Sequence, residues 1–372
     1  MPHSAPTQDT FIETRKKRKA VAIWLITGVL MIVGQVLLGG ITRLTGSGLS
    51  ITEWKPILGA IPPLNETDWH AAFDKYRQIA QFRYLNSDFT LGDFKAIYFW
   101  EWLHREWGRL MGVVFAAGFI WFLVKRYFSR EMIVPFVVLF VLGGLQGAVG
   151  WIMVQSGLND TDLYVSHIRL AIHFIAALLL LCYVLWFALQ LLVPEEQRTA
   201  HAGLRRFMLI TIALLTLQLI YGAFMAGLKA APAAPTWPTI NGDWLVHDTG
   251  SYGSRHYHGL SVLTDHPLVV HLIHRTLAYL LFFIIIYGSV SAHRTAKNAK
   301  NKLLQKAAVW PAVLVVLQAV LGILTVLASP KMTRSRFGIF EFLAEAHQLV
   351  AMFLLMGLMV NLYLIRRSGR QG

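Results

Sequence analysis

Residues 98–124 read YFWEWLHREWGRLMGVVFAAGFIWFLV. From Leu110 onward this stretch has no charged residue, while its first half carries Glu101, His104, Arg105, Glu106 and Arg109. A helix rises about 1.5 Å per residue and needs roughly 20 residues to cross about 30 Å of hydrocarbon, so the window can span a bilayer with a histidine held inside it. Seven further windows of similar character follow outward from it, near residues 20–40, 132–154, 167–193, 206–228, 267–290, 307–328 and 341–365. The chain has 372 residues, of which 55% are hydrophobic and 15% charged, and a mean hydropathy of +0.51. That is more apolar than a water-soluble chain of this length carries. The expectation is an all-α integral membrane protein with eight transmembrane helices.

A formal net charge of +14 raises nucleic acid as a partner, but the basic residues do not gather on one surface. They fall at alternate helix junctions: Arg15 to Lys19, then Lys125, Arg126 and Arg130, then Arg205 and Arg206, then Arg294 to Lys306, and finally Arg366, Arg367 and Arg370. By the positive-inside rule this pattern puts both termini on the cytoplasmic or matrix side and argues against a nucleic-acid partner. The first apolar window follows a polar stretch and lacks a small-residue cleavage site after it, so it reads as a retained helix. Cys182 is the only cysteine and lies in the fourth window, which excludes an intrachain disulfide and a cysteine metal cluster.

The windows repeat. Leu103-His104-Arg105 in the second matches Ile273-His274-Arg275 in the sixth, and His173 in the fourth matches His347 in the eighth, at offsets of 170 and 174 residues. The odd windows share Gln-x-x-x-Gly: Gln35 with Gly39, Gln146 with Gly150, Gln218 with Gly222, Gln318 with Gly322. Four spans per unit is an even number, so the units have one orientation, and two pseudo-twofold-related four-helix bundles are expected. The boundaries are an N-terminal segment 1–19, a first half 20–195 and a second half 206–366. Gln and Gly four apart share a helix face, where they suit close helix packing better than contact with a ligand. The long segments 41–97 and 229–266 on the opposite side are rich in Gly, Pro and Trp and read as ordered loops that cover a site, with a short surface helix within 68–85.

Most of the 14 histidines fall in loops or at helix ends. His104, His173, His274 and His347 instead lie about two turns inside the even windows, at matched depth, where an ionisable side chain is costly enough to imply a function. Two imidazoles on facing helices suit a bis-histidine haem. Structural hydrogen bonding and a proton or ion pathway are the competing readings. Each histidine is followed at i+4 by a small residue, Gly108, Ala177, Ala278 or Ala351, which leaves room for a flat macrocycle. His271 and His167 are near neighbours of the matched histidines, but their repeat counterparts are Glu101 and Glu341, so they fall outside the matched set. Glu101 is one turn before His104 on the same face. It could act as a general base or stabilise positive charge, or it could complement a helix dipole. Arg105, Arg109 and Arg275 could hold haem propionates or snorkel to the interface. Trp100, Trp102 and Trp107 suit an aromatic belt as well as cofactor contacts.

The run Glu101-Trp102-Leu103-His104-Arg105-Glu106-Trp107-Gly108-Arg109 resembles the haem A synthase family, in its mitochondrial and alphaproteobacterial form. So do Gly46-Ser47-Gly48-Leu49-Ser50-Ile51 with Trp54, and Thr236-Trp237-Pro238-Thr239-Ile240-Asn241-Gly242, and the likeness extends from the first helix to the eighth. The resemblance implies an oxidoreductase of cytochrome oxidase assembly in the bacterial inner or mitochondrial inner membrane. Its reaction oxidises the C8 methyl of haem O to a formyl, through hydroxylation, to give haem A. It further implies that His104 and His173 face the iron of the haem O or haem A molecule, that His274 and His347 ligate a resident haem b, and that Glu101 is the catalytic carboxylate. Read as propionate partners, Arg105 and Arg109 belong to the substrate site and Arg275 to the cofactor site. Expected partners are the lipid bilayer, haem O synthase and oxidase assembly factors, with self-association open. The cysteine pairs that some bacterial members carry in outer loops are absent, which excludes a loop-disulfide mechanism. The rival reading is a non-catalytic di-haem b electron-transfer cytochrome, and a transporter with parallel repeats is a third.

Overall fold

The computed structural model describes residues 8–55, 58–333 and 335–366. Arg367, Arg370 and the first seven residues of the expected 1–19 segment lie outside the described residues. Among the described residues eight helices are long and apolar enough to cross a membrane. They are α1 (Gln8–Leu44), α4 (Leu91–Val124), α5 (Arg130–Gln155), α6 (His167–Leu192), α7 (Ala202–Gly227), α9 (Pro267–Asn298), α10 (Lys302–Ala328) and α11 (Ile339–Leu364). Three short helices, α2 (Glu66–Tyr76), α3 (Ala80–Leu85) and α8 (Leu260–Thr264), lie in the connections. The chain is a multi-pass integral membrane protein, and its described residues are all-α apart from a hairpin of two short strands, β1 (Ser251–Tyr252) and β2 (Arg255–His256).

Two helices outrun the apolar windows. α1 begins at Gln8, so most of the expected N-terminal segment is helical and continuous with the first span. α4 begins at Leu91 because Thr90 and Asp93 close a reciprocal capping box there. Its extra turns bury Phe94, Ile97 and Tyr98 against Phe73 and Tyr76 of α2 and Phe82 of α3. The single surface helix expected within 68–85 is therefore two, with α2 capped by the Asn65 side chain.

Within the first half α1 packs on α4 and α6, and α5 on α6; in the second, α7 packs on α9 and α11, and α10 on α11. The halves meet along α1, α6, α7 and α11. Since lipid is as apolar as leucine, close contact and not water exclusion holds such helices together. The seam shows this closeness: a Cβ added at Gly40 of α1 would come 1.8 Å from the Glu345 carboxylate of α11. Arg43 donates to the carbonyl of Ala226, its own counterpart in the repeat, so the axis relating the halves passes near that contact. One difference stands out: α9 packs along α10, whereas α4 and α5 have no comparable contact.

Candidate functional site

The four matched histidines are half-buried and all sit in the part of their helices nearest the long loops. His173, His274 and His347 are six to eight residues past their helix starts, about 9–12 Å, as the two-turn expectation has it. His104 is about 20 Å along α4, because that helix starts two turns further out. Each ring is held by the neighbouring odd span. The Nε2 amides of Gln35, Gln146 and Gln218 donate to the main-chain carbonyls of His104, His173 and His274 at 3.1, 3.0 and 3.0 Å. The same amides, and that of Gln318 toward His347, lie 3.2–3.4 Å from a ring nitrogen. The glycine four residues on makes space for the ring: a Cβ at Gly39, Gly150 or Gly322 would come 2.8–2.9 Å from Cε1 of His104, His173 or His347. At Gly222 the distance to His274 is 3.4 Å. Sequence reading assigned Gln-x-x-x-Gly to helix packing, yet the motif directly buttresses each histidine. The matching counts, four motifs and four histidines, were the available signal.

His274 and His347 bring their ring centroids to 6.4 Å at an interplanar angle of 73°. Two axial imidazoles bound at about 2.0–2.1 Å, with roughly 1.1 Å from nitrogen to ring centre, would put their centroids about 6.3 Å apart. The spacing fits one metal between two rings. Nδ1 of His104, His274 and His347 and Oε1 of all four glutamines are buried without a partner, which leaves polar atoms for a bound group to satisfy. Among the described residues no three His, Cys, Asp or Glu side chains gather as they would around a lone ion, so the imidazole pairs are the candidate metal-holding unit.

Above the first pair lies a clamped loop. Glu101, 2% exposed, accepts from Ser50 Oγ at 2.7 Å, from Ile51 N at 2.8 Å and from Arg105 Nη2 at 2.6 Å. Lying ten residues into α4, it does not serve the dipole of the first turn, a task that falls to Asp93. Arg105 also donates to the carbonyls of Ile51 and Glu53, and Arg109 to that of Lys55 and to Glu106. Glu53 is fixed in turn by Lys75 and Lys55, whose hydrogen bonds draw its carboxyl below the usual range. The second half repeats the clamp with other groups. Arg275 donates to Thr236, Thr239 and Ala234 carbonyls and, through Nε, to His271, which is fully buried. All three arginines are thus engaged with loop carbonyls, an alternative to propionate and to snorkelling that sequence reading did not weigh.

The excluded neighbours have local tasks. Glu341 accepts from Gly338 N and Thr333 N at the start of α11, and His167 lies 2.9 Å from Asp265. Trp102 donates to Ala60 and Trp107 to Met31, so both serve packing around α4.

Eight spans with two matched histidine pairs, each held by glutamines and covered by an arginine-clamped loop, define a polytopic membrane protein of the paired-histidine kind. The chain belongs to the COX15-CtaA family of cytochrome oxidase assembly proteins, whose model matches residues 22–359. It is 41% identical over 350 residues to the haem A synthase of Rhodospirillum centenum, covering 94% of this chain and 89% of that protein. It is 40% identical over 323 residues to that of Paracoccus denitrificans, covering 84% and 82%. For that of Flavobacterium psychrophilum the figures are 37% over 347 residues, 91% and 96%.

Proposed function

We propose that this chain is a haem A synthase, oxidising the C8 methyl of haem O to a formyl through hydroxylation. The observation that carries the reading is one asymmetry in an otherwise matched pair of sites: Glu101 is bound over His104 where the second half has His271 over His274. An electron carrier with two equivalent haems has no need of a carboxylate over one of them. We assign residues 20–195 to the substrate and residues 206–366 to a resident haem b. His274 and His347 would hold that haem, which supplies one-electron transfer when bound. His104 and His173 would face the iron of the haem O substrate and its haem A product, and fix the ring against Glu101.

In this reading Glu101 is the catalytic carboxylate, oriented by its hydrogen bonds from Ser50, Ile51 and Arg105 and placed to act as a general base on a water or to stabilise positive charge developing at the reacting carbon. Arg105, Arg109 and Arg275 fasten the loops that would cover the two haems, and a propionate would share them with the loop carbonyls. The basic helix ends support a topology with both termini on the cytoplasmic or matrix side of a bacterial or mitochondrial inner membrane. Haem O synthase and oxidase assembly factors are the natural partners for supply and delivery. Expression in cells that make haem O and lack haem A tests this: haem A is expected in their membranes, and haem O left unconverted would reject it.

The buttress makes its own prediction. Gly322→Ala forces a methyl toward His347, so the resident haem is expected to bind with an altered absorption spectrum or at reduced occupancy. Gly357→Ala on α11, whose added methyl meets Pro311 at an ordinary 3.6 Å, should leave the spectrum unchanged. Equal spectra for both variants would dismiss the buttress. Gln218→Ala should likewise shift the midpoint potential of that haem, since ligand-orienting hydrogen bonds tune a metal site.

A further inference from the structure

The first half is open toward the lipid on one side. α4 and α5 have no packing comparable to that of α9 on α10, their counterparts in the repeat. The most apolar stretch of α4 has no buried residue, against a third of that of α9. A Cβ added at Gly112 of α4, or at Gly143, Gly144 or Gly147 of α5, would meet nothing within 4 Å. The second half has Phe282, Val315, Val316 and Ala319 at these positions. Phe282 packs on the main core and Val315 is buried in it, so the side chains that close one half are missing from the other.

The opening has a floor and a head. Toward the end of the molecule away from the long loops, Phe115 meets Phe140 at 4.5 Å, and Phe119 meets Phe140 at 5.4 Å and Phe136 at 5.9 Å. From that floor to His104 is 11 residues of α4, about 16 Å. At the head Gly112 is eight residues from His104 along α4 and Gly147 adjoins Gln146 on α5, and Gln35 Oε1, Gln146 Oε1 and His104 Nδ1 are buried there without partners. Its walls are apolar and lipid-facing, with Val113, Val141 and Leu145 exposed.

We propose that this slot between α4 and α5 seats the isoprenoid chain of the substrate haem and is the doorway through which that haem enters sideways from the bilayer. The inference rests on the reading of His104 and His173 as the substrate pair. A long isoprenoid chain is as apolar as the lipid it leaves, so it gains shape-matched contact at little desolvation cost while the ring reaches the histidines. The closed second half has no such doorway, which suits a haem that stays.

The test uses the full-length protein in lipid nanodiscs, carrying its resident haem, with uptake of added haem followed by absorption. Haem O has the farnesyl-derived chain and haem B lacks it. Wild type is expected to take up haem O at least tenfold better than haem B, and His173→Ala to lose that uptake. Gly143→Val and Gly112→Phe, which install the second half's closing residues Val315 and Phe282, are expected to keep the resident haem and lower haem O uptake to the haem B level. Gly143→Ala, a single methyl into open space, should give a partial loss even if the larger variants fail to fold. Undiminished haem O preference in the variants that keep the resident haem, or no preference in wild type, overturns the slot. Absence of any His173-dependent uptake in wild type overturns the substrate-site reading itself, and the slot with it.

Discussion

His274→Ala and His347→Ala are each expected to strip the purified protein of its tightly held haem, while His104→Ala and His173→Ala leave that haem in place and abolish turnover. The argument is geometric. At 6.4 Å the second-half rings are spaced to share one iron, and alanine on either side would remove one of its two imidazole ligands, while His271, the nearest other imidazole, is buried and committed to Arg275. Quantitative haem extraction checks the split. Full retention of haem b after loss of both second-half histidines would reverse the assignment of sites.

Glu101→Ala should lower turnover by roughly 10²- to 10⁴-fold, the range a positioned acid or base contributes, with resident haem at full occupancy. The same substitution also removes three hydrogen bonds, so a structural cause has to be separated from a chemical one. Glu101→Gln does this. Its carbonyl oxygen can still accept from Ser50 and Ile51, and Arg105 keeps the Ile51 and Glu53 carbonyls, so the loop is expected to stay closed and protected from hydrogen exchange. If turnover falls with the loop closed, the carboxylate acts on the reaction. If Glu101→Gln turns over like wild type, Glu101 is a latch for the loop and nothing more.

The eight spans, their repeat and the four histidines are legible in the sequence because each rests on a local property: apolar length, spacing and the cost of an ionisable group in lipid. Neighbour relations between helices are not local, and that is where reading fell short. Gln35 and Gly39 look like a packing pair until α1 is laid against α4 and the imidazole of His104 fills the space between them. Arg105, Arg109 and Arg275 look like anion binders until the loops fold back and present carbonyls to them. The two outer turns of α4 were foreshadowed by Thr90 and Asp93, a capping pair hidden within a stretch too polar to read as membrane. The absent packing between α4 and α5 left a trace in Gly112, Gly143, Gly144 and Gly147, each of which could equally have marked tight helix contact.

The most direct test is extraction and chromatographic separation of the haems bound by the purified chain, isolated from cells that also make haem O. The account predicts haem B together with haem A or a hydroxylated intermediate. Two haem B per chain and no other pigment would contradict it, and would mark the protein as an electron-transfer cytochrome.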